Sequence, residues 1–207
     1  AESKRPLLLA GGGCVISKGG TDDLKTFVES LGIPVATTLM GKGAILDDHP
    51  LYLGNLGMHG TPQANTALGT CDLLLAVGSR FSDRIIGDPE LFCRSGKRTI
   101  IHVDIDPAEI GKNIRVDLEI EDDAADFFEG MLRARPDQDY AANWQEWLKL
   151  LMGKKVRYLE LKKKMYQPAS PLPPQYVIHM VAEALKGQNP VVVTDVGQHQ
   201  QFVAQHY

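Results

Sequence analysis

Several glycine-rich strings in this chain could bring a ligand against backbone amides. The first, Gly11-Gly12-Gly13, directly follows an apolar run over 6–10. Glycine has no Cβ, so such a loop lets a phosphate or a flexible cofactor tail approach the backbone closely. The spacing is not GxGxxG, because Ile16 stands where the third glycine would fall. Taken alone, the triplet fits a tight structural turn as well as a cofactor site.

Two arginines near the middle of the chain could hold a pyrophosphate. Arg80 and Arg84 follow Gly78 and are four residues apart, and guanidinium groups donate paired hydrogen bonds to phosphate oxygens. The alternative is that they form ion pairs with Asp83 or Asp88.

A carboxylate follows the next apolar run along the chain. Asp104 comes just after residues 98–103, a position from which an acidic side chain commonly binds ribose hydroxyls. Asp106 precedes Pro107 and therefore suits the cap of a helix. Asp104 is the better ligand candidate of the two.

Two more glycine-rich loops occupy 37–43 and 54–60, and a short one occupies 196–200. Met58 and His59 stand between glycines, where they could lie against a flat ligand or serve a structural purpose. His59 has no HxxH or HxxxH spacing to supply a second metal ligand. The loop at 196–200 could offer amides to a second diphosphate, although it is short.

Hydrophobic patterning predicts the elements that position these loops. Continuous apolar runs over 6–10, 34–37, 72–77 and 98–103 predict strands covered on both faces. Helices are predicted after Gly20, with Thr21 and Asp22 as caps, and over 61–69, 107–111 and 123–133. This order predicts an α/β fold with a doubly wound parallel sheet, Rossmann-like in form. Such sheets bind ligands beyond the carboxyl ends of their strands, where the glycine-rich loops fall.

The chain changes character after residue 133. Residues 141–166 predict one long helix anchored by Trp144, Trp147 and Leu151, and four prolines within 168–174 indicate a linker. A helix over 175–186 and a buried strand over 189–194 follow. We therefore predict a nucleotide-binding domain over 1–134, a helical arm with a Pro-rich linker over 135–170, and the truncated start of a second α/β domain over 171–207, since one strand cannot form a sheet.

Composition argues against several classes of function. The net charge of −4 over 207 residues lacks the basic excess of nucleic-acid-binding proteins. The basic cluster over 154–164 is predicted to be a solvated helix face. Three scattered cysteines form no disulfide framework or zinc motif, which favours a reducing, cytoplasmic location. No apolar run approaches the roughly 20 residues of a membrane span, so no membrane partner is expected.

Five motifs, taken in order, resemble the acetolactate synthases, also called acetohydroxyacid synthases. They are TTLMGKG (37–43), LGMHG (56–60), VGSRFSDR (77–84), HVDIDP (102–107) and VGQHQ (196–200). Nearly the whole chain resembles the large subunit of these thiamine diphosphate enzymes, from the central FAD-binding domain to the opening of the diphosphate-binding domain. The family commonly has Asp, Gly and Met where this chain has Ser82, Asp122 and Gln201.

The resemblance implies a set of cofactor contacts. Those to thiamine diphosphate are Val196, Gly197, Gln198 and His199. The resemblance also implies that FAD is largely structural in this family, without a net redox role. The FAD contacts fall on Gly11, Gly12, Gly13, Thr38, Leu39, Met40, Gly57, Met58, His59, Gly78, Ser79, Arg80, Arg84, Asp104, Ile105 and Asp123.

No catalytic or metal-ligating residue is expected within the chain. In the family, the activating glutamate lies in the amino-terminal domain and the Mg²⁺-binding motif lies further along the third domain. The resemblance therefore implies that the chain alone is inactive.

The resemblance also implies an activity for the parent enzyme. It condenses two pyruvates, or pyruvate with 2-oxobutanoate, in branched-chain amino-acid biosynthesis. It is expected to be a homo-oligomer, a dimer or tetramer, with a regulatory subunit as a candidate partner. Two alternatives stay open: a pyruvate oxidase or acyl-CoA decarboxylase type, against which LGMHG and RFSDR argue, and a non-catalytic nucleotide-binding module.

Overall fold

The computed structural model describes residues 2–94, 98–136 and 139–207. In these residues six parallel strands form one sheet in the order β3-β2-β1-β4-β5-β6. The chain runs outward from β1 to β3, then returns to the other side of β1, so the predicted doubly wound parallel fold is confirmed. The strands are β1 (Pro6–Ala10), β2 (Val35–Thr37), β3 (Tyr52–Asn55), β4 (Leu73–Val77), β5 (Thr99–Asp104) and β6 (Leu118–Glu121).

The register of the sheet brings the carboxyl ends of four strands level. Ala10 of β1 pairs with Thr37 of β2 on one side and with Val77 of β4 on the other, and Val77 pairs with Val103 of β5. The loops that begin at residues 11, 38, 78 and 105 therefore emerge side by side. Successive strands are added on one side of β1 up to β3 and on its other side from β4 onwards, and this switch between β1 and β4 makes the edge a crevice, the usual ligand site of doubly wound sheets.

Helices cover both faces of the sheet. Every residue of β1 is buried, while α2 packs on α6 and α3 packs on α7. Phe27 of α2 contacts Phe127 and Phe128 of α6 through tilted rings. The helices are α1 (Gly13–Ile16), α2 (Gly20–Leu31), α3 (Pro62–Thr70), α4 (Asp83–Ile86), α5 (Pro89–Arg94), α6 (Ala124–Ala134), α7 (Gln145–Met165), α8 (Pro174–Ala184) and α9 (Gln198–His206), with 3₁₀ turns at Gly57–His59 and Ala141–Trp144.

The predicted long helix is confirmed as α7, which begins after the 3₁₀ turn Ala141–Trp144. The indole nitrogen of Trp144 donates to the carbonyl of Ser3 at 3.0 Å, and that of Trp147 donates to the carbonyl of Pro6 at 2.9 Å. The helix α7 also packs on α3, and its residues Trp147 and Leu151 are buried in the core. None of the described helices is long and apolar enough to cross a membrane.

Three predictions about individual elements are wrong. Residues 107–111 form turns instead of a helix, and Gly111 has a φ of +69° that ends any continuation. The helix α2 is capped by Gly19, not by Thr21 or Asp22. The segment 189–194 is not a strand; Val191 and Val193 are 89% and 86% exposed. A strand needs a neighbour for its backbone groups, and no strand pairs with this segment among the described residues.

Candidate cofactor site

The glycine triplet brings the ends of β1 and β4 into backbone contact. The Gly11 amide donates to the carbonyl of Val77 at 2.9 Å, and the Gly13 amide donates to the carbonyl of Gly78 at 3.0 Å. A Cβ at Gly13 would lie 2.6 Å from the Cα of Gly78, which itself has a φ of +60°. Two of the three amides thus serve the turn, and only the Gly12 amide has no protein acceptor among the described residues.

The loop after β2 folds over the same edge. The Thr38 amide donates to the carbonyl of Ala10 at 3.0 Å, and the Thr38 hydroxyl accepts from the Gly41 amide at 3.0 Å. These bonds place Met40 beside the triplet, where a Cβ at Gly12 would lie 3.2 Å from that of Met40. The Met40 side chain is 72% exposed, and the neighbouring Leu39 is half-buried. A large apolar group therefore borders the crevice without a protein partner covering it.

The LGMHG string reaches the site by packing on the backbone of α4. Gly57 has a φ of +78°, and a Cβ there would lie 2.1 Å from the carbonyl oxygen of Arg84. The Asn65 side chain fixes this turn, because its amide group exchanges hydrogen bonds with the Gly57 backbone at 2.9 and 3.1 Å. Met58 is 57% exposed, whereas His59 is buried.

The described residues contain no group of side chains that could hold a metal ion around His59 or elsewhere. His59 is a buried side chain of the 3₁₀ turn Gly57–His59.

The loop after β4 is held by a strained, buried phenylalanine. Phe81 has a φ of +48°, which is unfavourable for a bulky residue. Its ring is buried edge-on against His102, with centroids 4.9 Å apart, and against Phe92 at 6.0 Å. These contacts stabilise the turn, which leaves the flanking Arg80 and Arg84 exposed.

The predicted alternative for the two arginines was an ion pair with Asp83 or Asp88. Among the described residues, no ion pair joins Arg80 or Arg84 to a carboxylate. The Arg80 backbone is instead fixed by Asn113, whose side-chain amide donates to the Arg80 carbonyl at 2.8 Å. Neither guanidinium group is therefore committed to a carboxylate among the described residues, and both residues are exposed.

The end of β5 presents a buried carboxylate followed by an exposed apolar residue. One oxygen of Asp104 accepts from the Asp106 amide at 3.0 Å, and Asp106 in turn accepts from the Ala108 amide at 2.9 Å. Asp106 thus caps a turn, although the predicted helix is absent. Asp104 is 9% exposed and Ile105 is 67% exposed.

Asp123 lies after β6 and caps a helix. Its carboxylate accepts from the Ala125 amide at 2.9 Å, at the start of α6, and from the Ser17 hydroxyl. It therefore links the end of α1 to α6. The structure gives this residue a structural role in addition to its predicted place among the cofactor contacts.

Two buried groups at the crevice have unusual surroundings. Ser79 is 2% exposed, and its hydroxyl has no hydrogen-bond partner among the described residues. A buried hydroxyl without a partner is costly, and a bound polar ligand could satisfy it.

Burial also raises the pKa of the Cys14 thiol to about 12, so this thiol stays protonated and is not a nucleophile.

His102 joins the β5 end to the loop that follows it. The Gly111 amide donates to its Nδ1 at 3.3 Å. Burial lowers the pKa of His102, an effect that the backbone of Ser79 and the charge of Asp104 partly oppose. A neutral ring is required for that hydrogen bond, since only an unprotonated Nδ1 can accept.

The last predicted set, Val196 to His199, lies apart from this crevice. These residues are exposed and stand at the start of α9. The structure thus brings together the predicted residues after β1, β2, β4 and β5, and the Gly57 turn packs against the Arg84 backbone. The 196–199 string forms no hydrogen bond with these loops among the described residues.

Sequence reasoning missed Asn113 and the strain at Phe81. Asn113 lies in a polar stretch without a motif, so no local signal indicates that it holds the Arg80 carbonyl. The backbone angle of Phe81 likewise follows from its buried ring contacts and has no signature in the residue type.

Taken together, the sheet order and the glycine-lined crevice define an α/β domain of the doubly wound class. Comparison with known proteins is more specific. The model of the family described as "Thiamine pyrophosphate enzyme, central domain" matches residues 1–131, and the chain belongs to this family.

Similarity to acetolactate synthases extends over the whole chain. The chain is 44% identical over 216 residues to the probable acetolactate synthase large subunit of Methanocaldococcus jannaschii, covering 100% of this chain and 35% of that protein. It is 44% identical over 208 residues to acetolactate synthase 1, chloroplastic, of rice, covering 100% of this chain and 31% of the relative. It is 41% identical over 205 residues to the acetolactate synthase large subunit of Corynebacterium glutamicum, covering 99% of this chain and 32% of that protein.

The chain therefore spans about a third of the length of these relatives. The resemblance predicted from the five motifs is confirmed.

Proposed function

We propose that this chain is the central segment of an acetolactate synthase large subunit, and that the crevice between the ends of β1 and β4 binds FAD. The FAD assignment rests on one observation: the loops at this edge of the sheet carry both exposed arginines and exposed apolar side chains. Arg80 and Arg84 supply the cations, and Met40, Met58 and Ile105 supply the apolar side chains.

The residues present fit the chemistry of FAD. Its pyrophosphate suits Arg80, Arg84 and the Gly12 amide, because charge-assisted hydrogen bonds to phosphate are strong. Its ribose hydroxyls suit Asp104, which uses one oxygen for the Asp106 amide. Flat ring systems suit apolar surfaces, and Met40, Met58 and Ile105 provide these.

Other residues among the predicted FAD contacts are not exposed, and we assign them to shaping the loops of the site. The glycines at 11, 13, 57 and 78 allow close backbone approach, and Thr38 fixes the loop that carries Met40. Ser79 offers an unsatisfied hydroxyl. His59 and Leu39 are buried or half-buried within their loops. Asp123 caps α6 and is proposed as a cofactor contact as well.

The role of this segment in the parent enzyme is proposed from the family and the relatives. Thiamine diphosphate supplies the chemistry that releases CO₂ from pyruvate and joins the remaining two-carbon unit to a second pyruvate or to 2-oxobutanoate. Residues Val196, Gly197, Gln198 and His199 would contact its diphosphate, and Mg²⁺ would be held outside this chain. FAD would organise the central domain without a net redox step.

The proposal extends to assembly and location. Exposed apolar side chains at Val191, Val193 and Val196, and at Met180 on α8, support burial against further protein. We propose a homo-oligomeric parent, a dimer or tetramer, with a regulatory subunit as a further partner, in a cytoplasmic setting that suits the buried free thiols of Cys14 and Cys71.

Hydrogen–deuterium exchange with added FAD tests the placement of the flavin. We expect slower exchange over 11–16, 38–43, 57–60 and 78–84, because these loops form the crevice. Exchange over the exposed carboxyl-terminal half of α7 should not change. Protection confined to α7, or spread evenly over the chain, would show that the crevice is not the flavin site.

The catalytic part of the proposal has a separate test. The full-length protein should form acetolactate from pyruvate with thiamine diphosphate, Mg²⁺ and FAD, whereas residues 1–207 alone should not. Turnover by the 207-residue chain would contradict the assignment of the activating glutamate and the Mg²⁺ motif to other domains. Absence of acetolactate formation by the full-length protein would contradict the assigned activity.

A further inference from the structure

The helix α9 extends between two of the proposed cofactor motifs. Residues Val196–His199, the proposed diphosphate contacts, stand at its amino-terminal end. At the other end, the side-chain amide of Gln205 donates to the carbonyl of Gly60 at 3.2 Å. Gly60 closes the LGMHG loop, which carries Met58 and His59. A helix of 9 residues, at about 1.5 Å per residue, therefore separates the two motifs by roughly 13 Å.

The carboxyl-terminal end of α9 is held firmly on α7. The ammonium of Lys162 donates to the Gln205 carbonyl at 2.7 Å, and the Tyr166 hydroxyl is hydrogen-bonded to Nδ1 of His206 at 3.1 Å. The Tyr166 ring stacks on His179 of α8, with centroids 3.9 Å apart. These contacts fix the position of Gln205, so a shift at Gly60 acts on a restrained helix.

The loop on the other side of the bond is equally constrained. The Gly60 amide donates to the carbonyl of Gly57 at 2.9 Å, and Asn65 also binds that carbonyl at 3.1 Å. A ligand that orders Gly57, Met58 and His59 therefore also fixes the direction of the Gly60 carbonyl. Through Gln205, this order reaches α9.

We propose that Gln205 is a positioning residue that couples the FAD site at Gly57–His59 to the thiamine diphosphate contacts at Val196–His199. The inference rests on the proposed function, because it takes both assignments as given. Contacts from FAD at Gly57–His59 would set the direction of the Gly60 carbonyl, and the restrained α9 would transmit that change through Gln205 to the contacts at Val196–His199. Coupling of this kind is reciprocal, so each cofactor tightens the other by the same factor.

The test measures the Kd of thiamine diphosphate, in Mg²⁺ buffer, for the full-length protein with and without saturating FAD. In the wild type we expect FAD to tighten thiamine diphosphate binding about fivefold or more. In Gln205→Leu, which keeps the side-chain bulk but loses the donor, the factor should fall to about one. Gln205→Glu, which also lacks the amide donor, serves as the second variant if the first does not fold.

A matched control is available on α7. Gln167 also donates its side-chain amide to a backbone carbonyl, that of Lys163, but within its own helix. Gln167→Leu should keep the wild-type coupling factor. The reciprocal experiment, FAD titrated with and without thiamine diphosphate, should give the same factor as the first.

The outcomes separate the two proposals. A wild-type factor of one with both cofactors bound would overturn the coupling and leave the proposed function standing. Full coupling in Gln205→Leu or Gln205→Glu would overturn the role of Gln205. Absence of FAD binding in the wild type would overturn the proposed function, and the coupling with it.

Discussion

The backbones of Gly11 and Gly78 are in direct contact at the ends of β1 and β4. A Cβ on Gly11 would lie 1.9 Å from the carbonyl oxygen of Gly78, a distance that no side chain can occupy. The glycine triplet is therefore needed first to let two strand ends approach each other. Its availability to a ligand is a consequence of that approach, and mainly concerns Gly12.

The first prediction follows from this contact. Gly11→Ala should destabilise the fold by about 1–3 kcal/mol, because the new methyl group meets backbone atoms that cannot rotate away. Urea unfolding of the variant and the wild type measures the difference. Gly130→Ala is the control: Gly130 lies inside α6 with open space around it, so alanine should stabilise the helix by about 1 kcal/mol. Unchanged stability in Gly11→Ala would contradict the contact.

The second prediction concerns the carboxylate of Asp123. Because it caps α6 by accepting from the Ala125 amide, Asp123→Ala should lower the free energy of unfolding by about 0.5–2 kcal/mol. Asp123→Asn should lose much less, since asparagine caps helices about as well as aspartate. Chemical denaturation separates the two variants. Equal losses in both would mean that the charge, and not the cap, matters at this position.

The third prediction is a pH dependence at the α7–α9 contact. Burial, with Lys162 and His179 acting in the same direction, lowers the pKa of His206 to about 4. The unfolded chain protonates this ring near pH 6.5. The native state takes up the proton only at lower pH, so stability present above pH 6.5 is lost as the pH falls towards 4.

His206→Gln should reduce the loss of stability at low pH, because glutamine can still accept from the Tyr166 hydroxyl but does not titrate. The measurement is the urea midpoint at several pH values between 6.5 and 5. His199→Gln, at an exposed histidine on the same helix, should leave the wild-type slope in place. A slope that is the same in His206→Gln and wild type would remove His206 as its source.

The sequence could predict the fold where burial decides the pattern. The runs that became β1, β2, β4 and β5 are continuous and apolar, which is typical of strands covered on both faces. The edge strand β6 reads Leu-Glu-Ile-Glu and is mostly exposed, so its pattern gave no such signal. The strand β3 is short and contains a glycine with a φ of +100°. Both escaped prediction because neighbouring strands, not their own residues, define them.

The candidate site was likewise predictable from the sequence in part only. Its loops could be placed from the sequence, because ligands bind beyond the carboxyl ends of parallel strands. The role of each residue in these loops could not be predicted from the sequence. The amides of Gly11 and Gly13 turned out to be committed to Val77 and Gly78, and Asp123 to a helix cap. Such roles depend on contacts between residues far apart in the chain, which local patterns do not encode.

The measurement that tests the account most directly is the FAD affinity of Arg80→Ala. Arg80 is exposed at the crevice and pairs with no carboxylate among the described residues, so its guanidinium is assigned to the FAD pyrophosphate. Losing a charge-assisted hydrogen bond costs about 1.5–3 kcal/mol, which corresponds to roughly tenfold to hundredfold weaker binding.

The control is Arg133→Ala, which removes a surface arginine paired with Glu129 on α6, away from the crevice. Calorimetric titration of FAD should give the wild-type Kd for Arg133→Ala and a Kd at least tenfold higher for Arg80→Ala. Equal affinity for FAD in wild type and Arg80→Ala would contradict the assignment of the crevice as the flavin site.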